Sequence, residues 1–531
     1  MNKLVRIILA FWTCISILFT SGFGPAARYL KNIDPAPVAY PRAAVEARRL
    51  LLVGYPSESD ALTVGSLQGI LANTSETQIF IRNGMYEDYL PYTGAGLVPT
   101  QPDGAAWDAA SLLKEYGSFA KGYVLCDDAG AAAAVSVAGV LQAVIVTEAL
   151  EQTAVEAGLA KCEDVRGWDD AALRKSGYFK KLNDKIAVEQ PVSYAPKLVD
   201  LAVMAGAYFG FSDSADMKDH WKVFSFLKDN AVIFGWNPVL GEHDTVQSFS
   251  EMNMCLIPAD HGCNYSTLSG FSAPELRQKT AEPAESAGQK HTVCLMMSDG
   301  DNLQWMTNQY ADGAHYGSAL RGGFPMGWGV PASIASVASP VADFLFDNMT
   351  ANDEFITHIS GLGYTFPSGW NNPAALEIMA KQLAENMAKT DTHIAAVLDD
   401  HGFDSKALDT LASQDGIDAL FYVDYQNYAG YEGAVRPVGD TPIISARYRL
   451  WAGLEGCSPE EIAAKINAAP TDPADPDAYS LIVVHAWSGL DADGNFVEGG
   501  DTMKAVRRFV DALDENVRIV TPREFAEVVK Y

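Results

Sequence analysis

From residue 291 to the end of the chain, short apolar runs recur with helical segments between them, and this rhythm leaves few possible folds. Strand-length runs fall at 292–297, 355–359, 393–398, 419–423, 442–446, 481–484 and 517–520, with a weaker one at 326–330. Unbroken apolar runs of this length suit strands covered on both faces, as parallel sheets require. The clearest helix between them opens at Asn372-Pro373, a cap followed by proline at the first helical position. It sets Leu376, Met379, Ala380, Leu383 and Met387 on one face. Ser458-Pro459-Glu460-Glu461 reads as the capping box of another helix. Seven or eight strands alternating with helices predict a (β/α) barrel-like domain over 290–531. A doubly wound open sheet is the second architecture that fits.

Upstream, strands expected at 49–53, 78–82, 122–126 and 143–147 alternate with helices near 63–72 and 131–141, giving an N-terminal layered α/β domain over 28–150. Residues 151–289 are expected to form a second α/β or linking domain, with a helical pattern at 194–209 and a strand at 231–235. The polar stretch 273–289 marks its end. Residues 1–27 read as a signal peptide: Lys3 and Arg6 flank apolar residues 7–19, and small residues follow at 22–27. The apolar run is short and interrupted by Thr13, Cys14 and Ser16, which argues against a membrane span. An uncleaved anchor is the alternative to a cleaved leader, and the mature protein is expected to be secreted or held at the cell surface.

The mature chain keeps six cysteines, Cys126, Cys162, Cys255, Cys263, Cys294 and Cys457, with no CxxC pair of the kind structural zinc uses. Cys255 and Cys263 are spaced to close a short disulfide loop, whereas Cys294 falls inside an expected strand. With 67 acidic residues against 38 basic ones, the formal charge is −29. Such a surface repels nucleic acid and anionic membranes and suits a neutral ligand.

In a barrel the loops after the strands meet at one end. Asp299, Asp301, Ser360, Asp399, Asp400, Asp424, Arg447, His485 and Trp487 all follow expected strand ends. Asp299, Asp301 and Asp400 are the candidate catalytic acids, each at an expected strand end near a glycine, where backbone can approach a ligand. The competing role for Asp299 or Asp301 is to cap a helix starting near Asn302. Asn302, Trp305, Trp328, Tyr364, Trp370 and Trp487 are candidates for a sugar platform. Glu242 is a candidate contact from the preceding domain and His485 from the barrel rim. Ser360 lies outside a GxSxG elbow. Asp491-Ala492-Asp493-Gly494-Asn495 lacks calcium-loop spacing and reads as a surface turn.

Gly361-Leu362-Gly363-Tyr364-Thr365-Phe366-Pro367 resembles the signature of the GxGYxYP family of glycoside hydrolases, with Phe366 at its second tyrosine. Residues 297–302 with Trp305 are similar to that family's strand-end acidic motif. Asn352-Asp353, Ser360, Gly241-Glu242 and Ser248 fit the same pattern. The resemblance implies an exported protein with an N-terminal α/β region, a barrel-like C-terminal domain and a carbohydrate substrate.

Glycoside hydrolysis needs a protonated carboxyl and a carboxylate, which the strand-end aspartates supply without metal or cofactor. A metal-dependent polysaccharide deacetylase is the alternative, but it needs an Asp/His/His set. No HxxxH spacing occurs, and His358, His393, His401 and His485 are scattered. A non-catalytic carbohydrate-binding protein is the third reading.

Overall fold

The computed structural model describes residues 37–84, 87–272, 275–279 and 288–529. The expected leader lies outside the described residues. Among those described, no helix is long and apolar enough to cross a membrane.

Three small parallel sheets precede the C-terminal one. β1 (Arg49–Gly54) lies between β2 (Thr77–Arg82) and β3 (Gly96–Val98). β4 (Tyr123–Cys126) lies between β5 (Val144–Thr147) and β6 (Lys161–Asp164). In the third sheet β7 (Ile186–Glu189) pairs with β8 (Tyr208–Gly210) and β9 (Val232–Gly235), and β9 pairs with β10 (Cys255–Pro258). The helix Glu58–Thr74 is buried along most of its length, between β5 and the helix Val199–Ala205. Gly69 permits that crossing, since an added Cβ would stand 2.3 Å from the carbonyl oxygen of Asp200.

Two expectations fail in this region. The helical pattern at 194–209 yields only the short helix Val199–Ala205, because Gly206 at φ 60° ends it and turns the chain into β8. Cys255 and Cys263 form no disulfide: both are buried free thiols, Cys255 inside β10.

The C-terminal sheet takes its strands in chain order. β11 (His291–Met297), β12 (Met326–Pro331), β13 (Asp353–His358), β14 (Ile394–Asp399) and β15 (Ala419–Asp424) are successive parallel neighbours. After β15 come β16 (Val435–Val438), an antiparallel edge, and β17 (Thr441–Ser445), which pairs with β15. β18 (Tyr448–Leu450) pairs with β19 (Tyr479–Val484), which returns to β11. β20 (Ser488–Leu490) and β21 (Phe496–Glu498) form a hairpin, and β22 (Val517–Val520) joins the first half of β11.

The sheet is therefore strongly curled. Ala446 N–H donates to Tyr422 O at 2.9 Å and the next residue, Arg447, donates to Leu481 O at 2.8 Å, so a single stretch of chain touches β15 and β19. Ten strands belong to this sheet, more than the seven or eight expected, because edge strand β16 and three-residue β18 carry no readable periodicity. Helices cover the sheet; Pro373–Lys389 starts with the Asn372 side chain accepting from Ala374 N–H and buries the expected stripe from Leu376 to Met387.

Candidate active site

Polar residues from several strand ends meet where the curled sheet faces the third sheet. The C-terminal ends of β11, β13, β14, β15 and β19 supply one wall, through Met296, His358, Leu398, Val423 and Val483. Trp236 follows β9, Pro258 ends β10, and Glu242 opens the helix Glu242–Glu251 on the opposite wall. Together they enclose a cavity of about 310 Å³. Ligands in open α/β sheets bind at such carboxyl ends, where loops free of sheet pairing can present side chains.

The loop after β11 is folded tightly enough to turn both of its acids into this cavity. Asp299 has φ 61°, and Gly300 passes so close to β12 that an added Cβ would lie 2.3 Å from Gly329 Cα. The signature loop is pinned across the domain boundary: Leu256 N–H donates to Tyr364 O at 2.9 Å, and Tyr364 N–H returns a bond to Leu256 O at 2.6 Å. At Gly363 an added Cβ would stand 2.6 Å from Leu256 O, so this glycine serves close backbone approach. The pinned loop directs the Tyr364 hydroxyl to Glu242 Oε1 at 3.0 Å.

Four carboxyl groups line the cavity, Glu242, Asp260, Asp299 and Asp301, and the surroundings of Asp301, Asp299 and Glu242 separate their chemistry. Asp301 is 6 % exposed. Burial, then the charges of Asp299 and Glu242, push its pKa up to about 8, so it holds its proton at neutral pH. Asp299 is held at both oxygens, by Trp487 Nε1 at 3.1 Å and by the Ser298 hydroxyl. Glu242 reaches solvent through the cavity mouth, yet desolvation by the walls still raises its pKa against the opposing Tyr364 hydrogen bond. His358, fully buried at the cavity wall, has no protein partner for either ring nitrogen, and burial lowers its pKa to about 3. It is therefore a neutral imidazole with hydrogen-bonding capacity toward the cavity.

Of the residues singled out from sequence, Asp299, Asp301, Asn302, Glu242, Tyr364 and Trp487 line this cavity. Neither aspartate caps the helix Leu303–Asn308, whose cap position is Asn302, with no side-chain capping bond. Trp305 is buried behind Trp487, with ring centres 4.8 Å apart. His485 stacks on Trp451 at 3.9 Å, outside the cavity lining but close enough to feel the charge of Asp299. Asp400 does not join the other two acids. It bonds His243 Nε2 at 3.0 Å and Gln426 at 3.1 Å, and these contacts outweigh partial burial and lower its pKa. Trp328 is a core residue bonded to Asp353, and Trp370 is buried with its N–H on Thr365.

Other strand-end groups brace loops. Asp399 accepts from Ser368, Asp424 accepts from His401 N–H, and the Ser360 hydroxyl ties β13 to β14 through Leu398. Ser248, His220 and Glu189 form a hydrogen-bonded line in the order of a serine-hydrolase triad, but all three are fully buried. Asp491 accepts from Asp493 and Asn495 N–H, a self-contained turn. Among the described residues no cluster of three or more His, Cys, Asp or Glu side chains has metal-binding geometry.

Sequence reasoning missed His358, Asp260, Gln304 and Tyr428, all in the lining. Asp260 carried the same signal as Asp299, an acid just past a strand, but β10 itself had gone unread. His358 lies inside a buried strand, where a histidine reads as a satisfied core residue.

The fold and cavity define an α/β protein with a carboxylate site at the meeting of parallel sheets. Sequence profiles of the GxGYxYP family match three parts of it: the second domain at 120–182, the third domain at 183–270, and the "GxGYxYP putative glycoside hydrolase C-terminal domain" at 289–530. The chain belongs to the GxGYxYP family. Comparison with curated proteins returns no match. Among solved structures, a "putative hydrolase" from Bacteroides thetaiotaomicron is similar at TM-score 0.80 and 24% identity, over 94% of this chain and 98% of that one. That likeness extends to the whole architecture.

Proposed function

We propose that this protein is a secreted or cell-surface glycoside hydrolase, with Asp301 as general acid and Asp299 as nucleophile or base. The observation that carries the reading is the unequal environment of two neighbouring carboxyl groups. Asp301 keeps its proton at neutral pH, while Asp299 is oriented by Trp487 and Ser298. Cleavage of a glycosidic bond needs this division, one carboxyl protonating the leaving oxygen and one carboxylate acting at the anomeric carbon or on a water.

In this scheme Glu242, held by Tyr364, and the neutral His358 bind sugar hydroxyls. The exposed face of Trp487 packs on the ring. Asp400, engaged by His243, takes no part. We read the curled sheet as a (β/α) barrel-like scaffold whose strand ends carry both acids. Export is supported by the leader pattern of residues 1–27 and a carbohydrate substrate by family membership.

Mass spectrometry of a plant, host and microbial glycan panel tests the reading, with wild type beside Asp301→Asn. Oligosaccharides released by wild type and absent with the variant are expected. Loss of acetyl mass without chain cleavage would replace the proposal with a deacetylase. Ligand-induced thermal stabilisation in both proteins without any product would replace it with a binding function.

A further inference from the structure

A second cavity of about 480 Å³ adjoins the first and shares His261, Asn302, Gln304 and Trp487 with it. Its composition is different. The first is lined by Glu242, Asp260, Asp299 and Asp301; the second has no carboxylate in its lining and is built from amides and aromatics with His261, Cys263 and Lys197. It thus has means to bind a sugar and no acid–base pair to cleave one.

We infer that this second cavity is an adjoining sugar subsite, so that the substrate is an oligosaccharide spanning both cavities; the inference rests on the carbohydrate reading above. Three observations carry it. The described residues leave three aromatic side chains broadly exposed, Tyr55 at 48%, Phe119 at 40% and Trp487 at 37%, and two of them line this cavity. Exposed rings gathered in a concave site offer the flat apolar faces on which sugar rings stack. Trp305 lines the same cavity at 4% exposure, and its indole N–H has no protein acceptor. A buried donor without a partner is costly unless a ligand or solvent oxygen meets it.

The third observation is architectural. Tyr55 directly follows β1 and Asn83 directly follows β2, so the first sheet also points its carboxyl end at this cleft. Asn83 Nδ2 donates to Asn308 Oδ1 at 2.9 Å, which fixes the first sheet's loop to the wall of the C-terminal region. Gln304 Oε1 accepts from His261 N–H at 2.7 Å and braces the threshold between the cavities. Lys197 Nζ donates one of its N–H groups to His261 Nδ1 at 2.9 Å, and the amides and aromatic rings that make up most of the lining fit a hydroxyl-rich ring.

The test measures binding of cello-, xylo-, manno-, malto- and chitotetraose, and of the matching monosaccharides, to Asp301→Asn by calorimetry and saturation-transfer NMR. The measurements are repeated after adding Tyr55→Ala or Gln309→Ala, Gln309 being an amide in the lining of the second cavity. Tyr55 is exposed, so its removal is expected to leave Tm unchanged. The expected result is about tenfold weaker binding of the preferred tetraose on loss of Tyr55, with monosaccharide binding unaltered. Tetraose affinity that survives both changes but falls with Glu242→Ala would overturn the second subsite and leave the hydrolase reading intact. No binding by any sugar would overturn both.

Discussion

Asp301 shows how a single buried side chain couples chemistry to stability. Its pKa of about 8 comes first from burial and then from two neighbouring acids, so the folded protein binds a proton there that the unfolded chain releases near pH 4. In the proposed role of general acid it must be protonated, and turnover is expected to fall as pH rises through about 8. The same shift has a stability consequence. A folded pKa above the unfolded one gives full stability at low pH, lost progressively as pH climbs from about 4 to about 8. Asp301→Asn removes this penalty, so at pH 7 the variant is expected to melt above wild type, on the order of a few kcal/mol more stable, with no gain at pH 4. A variant no more stable than wild type at pH 7 would count against a proton on folded Asp301. Trp487→Phe tests the neighbouring acid. It keeps a ring but deletes the donor to Asp299, and kcat is expected to drop about tenfold with KM little changed.

The loops after the strands are held by backbone contacts that only small residues allow. Gly363→Ala forces a Cβ against Leu256 O, separating the signature loop from β10 and drawing Tyr364 away from Glu242. We expect a lower Tm and loss of activity together, whereas Gly177→Ala, with open space around it, leaves both unchanged. Retained activity in Gly363→Ala would mean that the inter-sheet bridge is dispensable. Phe366, where the family signature has tyrosine, is fully buried against Tyr364, His243 and Tyr425. An aromatic ring is what the packing at this position uses.

Across the molecule, buried acids and surface charge act in the same direction. Burial raises Glu354 to about 7 and Asp399 to about 6, so both join Asp301 in favouring the folded state under mildly acidic conditions. The excess of 67 acids over 38 bases adds self-repulsion that grows as these groups ionise. Tm is therefore expected to be higher near pH 5.5 than near pH 8.5. At the higher pH it should rise when NaCl goes from about 0.02 to about 0.2 M, as screening shortens the range of repulsion. A salt-independent Tm at high pH would assign the loss to the buried groups alone.

The sequence by itself determined the parallel α/β class, most C-terminal strands, the capped helices and the acids after β11. Unbroken apolar runs, cap residues and strand-end motifs are local patterns with local physical causes. It read less where elements are short or lie at an edge, as with β10, β16 and β18, since three or four residues carry no period. Only the tertiary structure decided which strand-end acids meet. Asp399, Asp400 and Asp424 carry the same local signal as Asp299 and Asp301, yet they hold loops or pair with histidines. Glu242 and Asp260 reach the cavity from another sheet. Convergence depends on how the curled sheet sits against the third sheet, and the desolvation that distinguishes Asp301 exists only after that packing is complete.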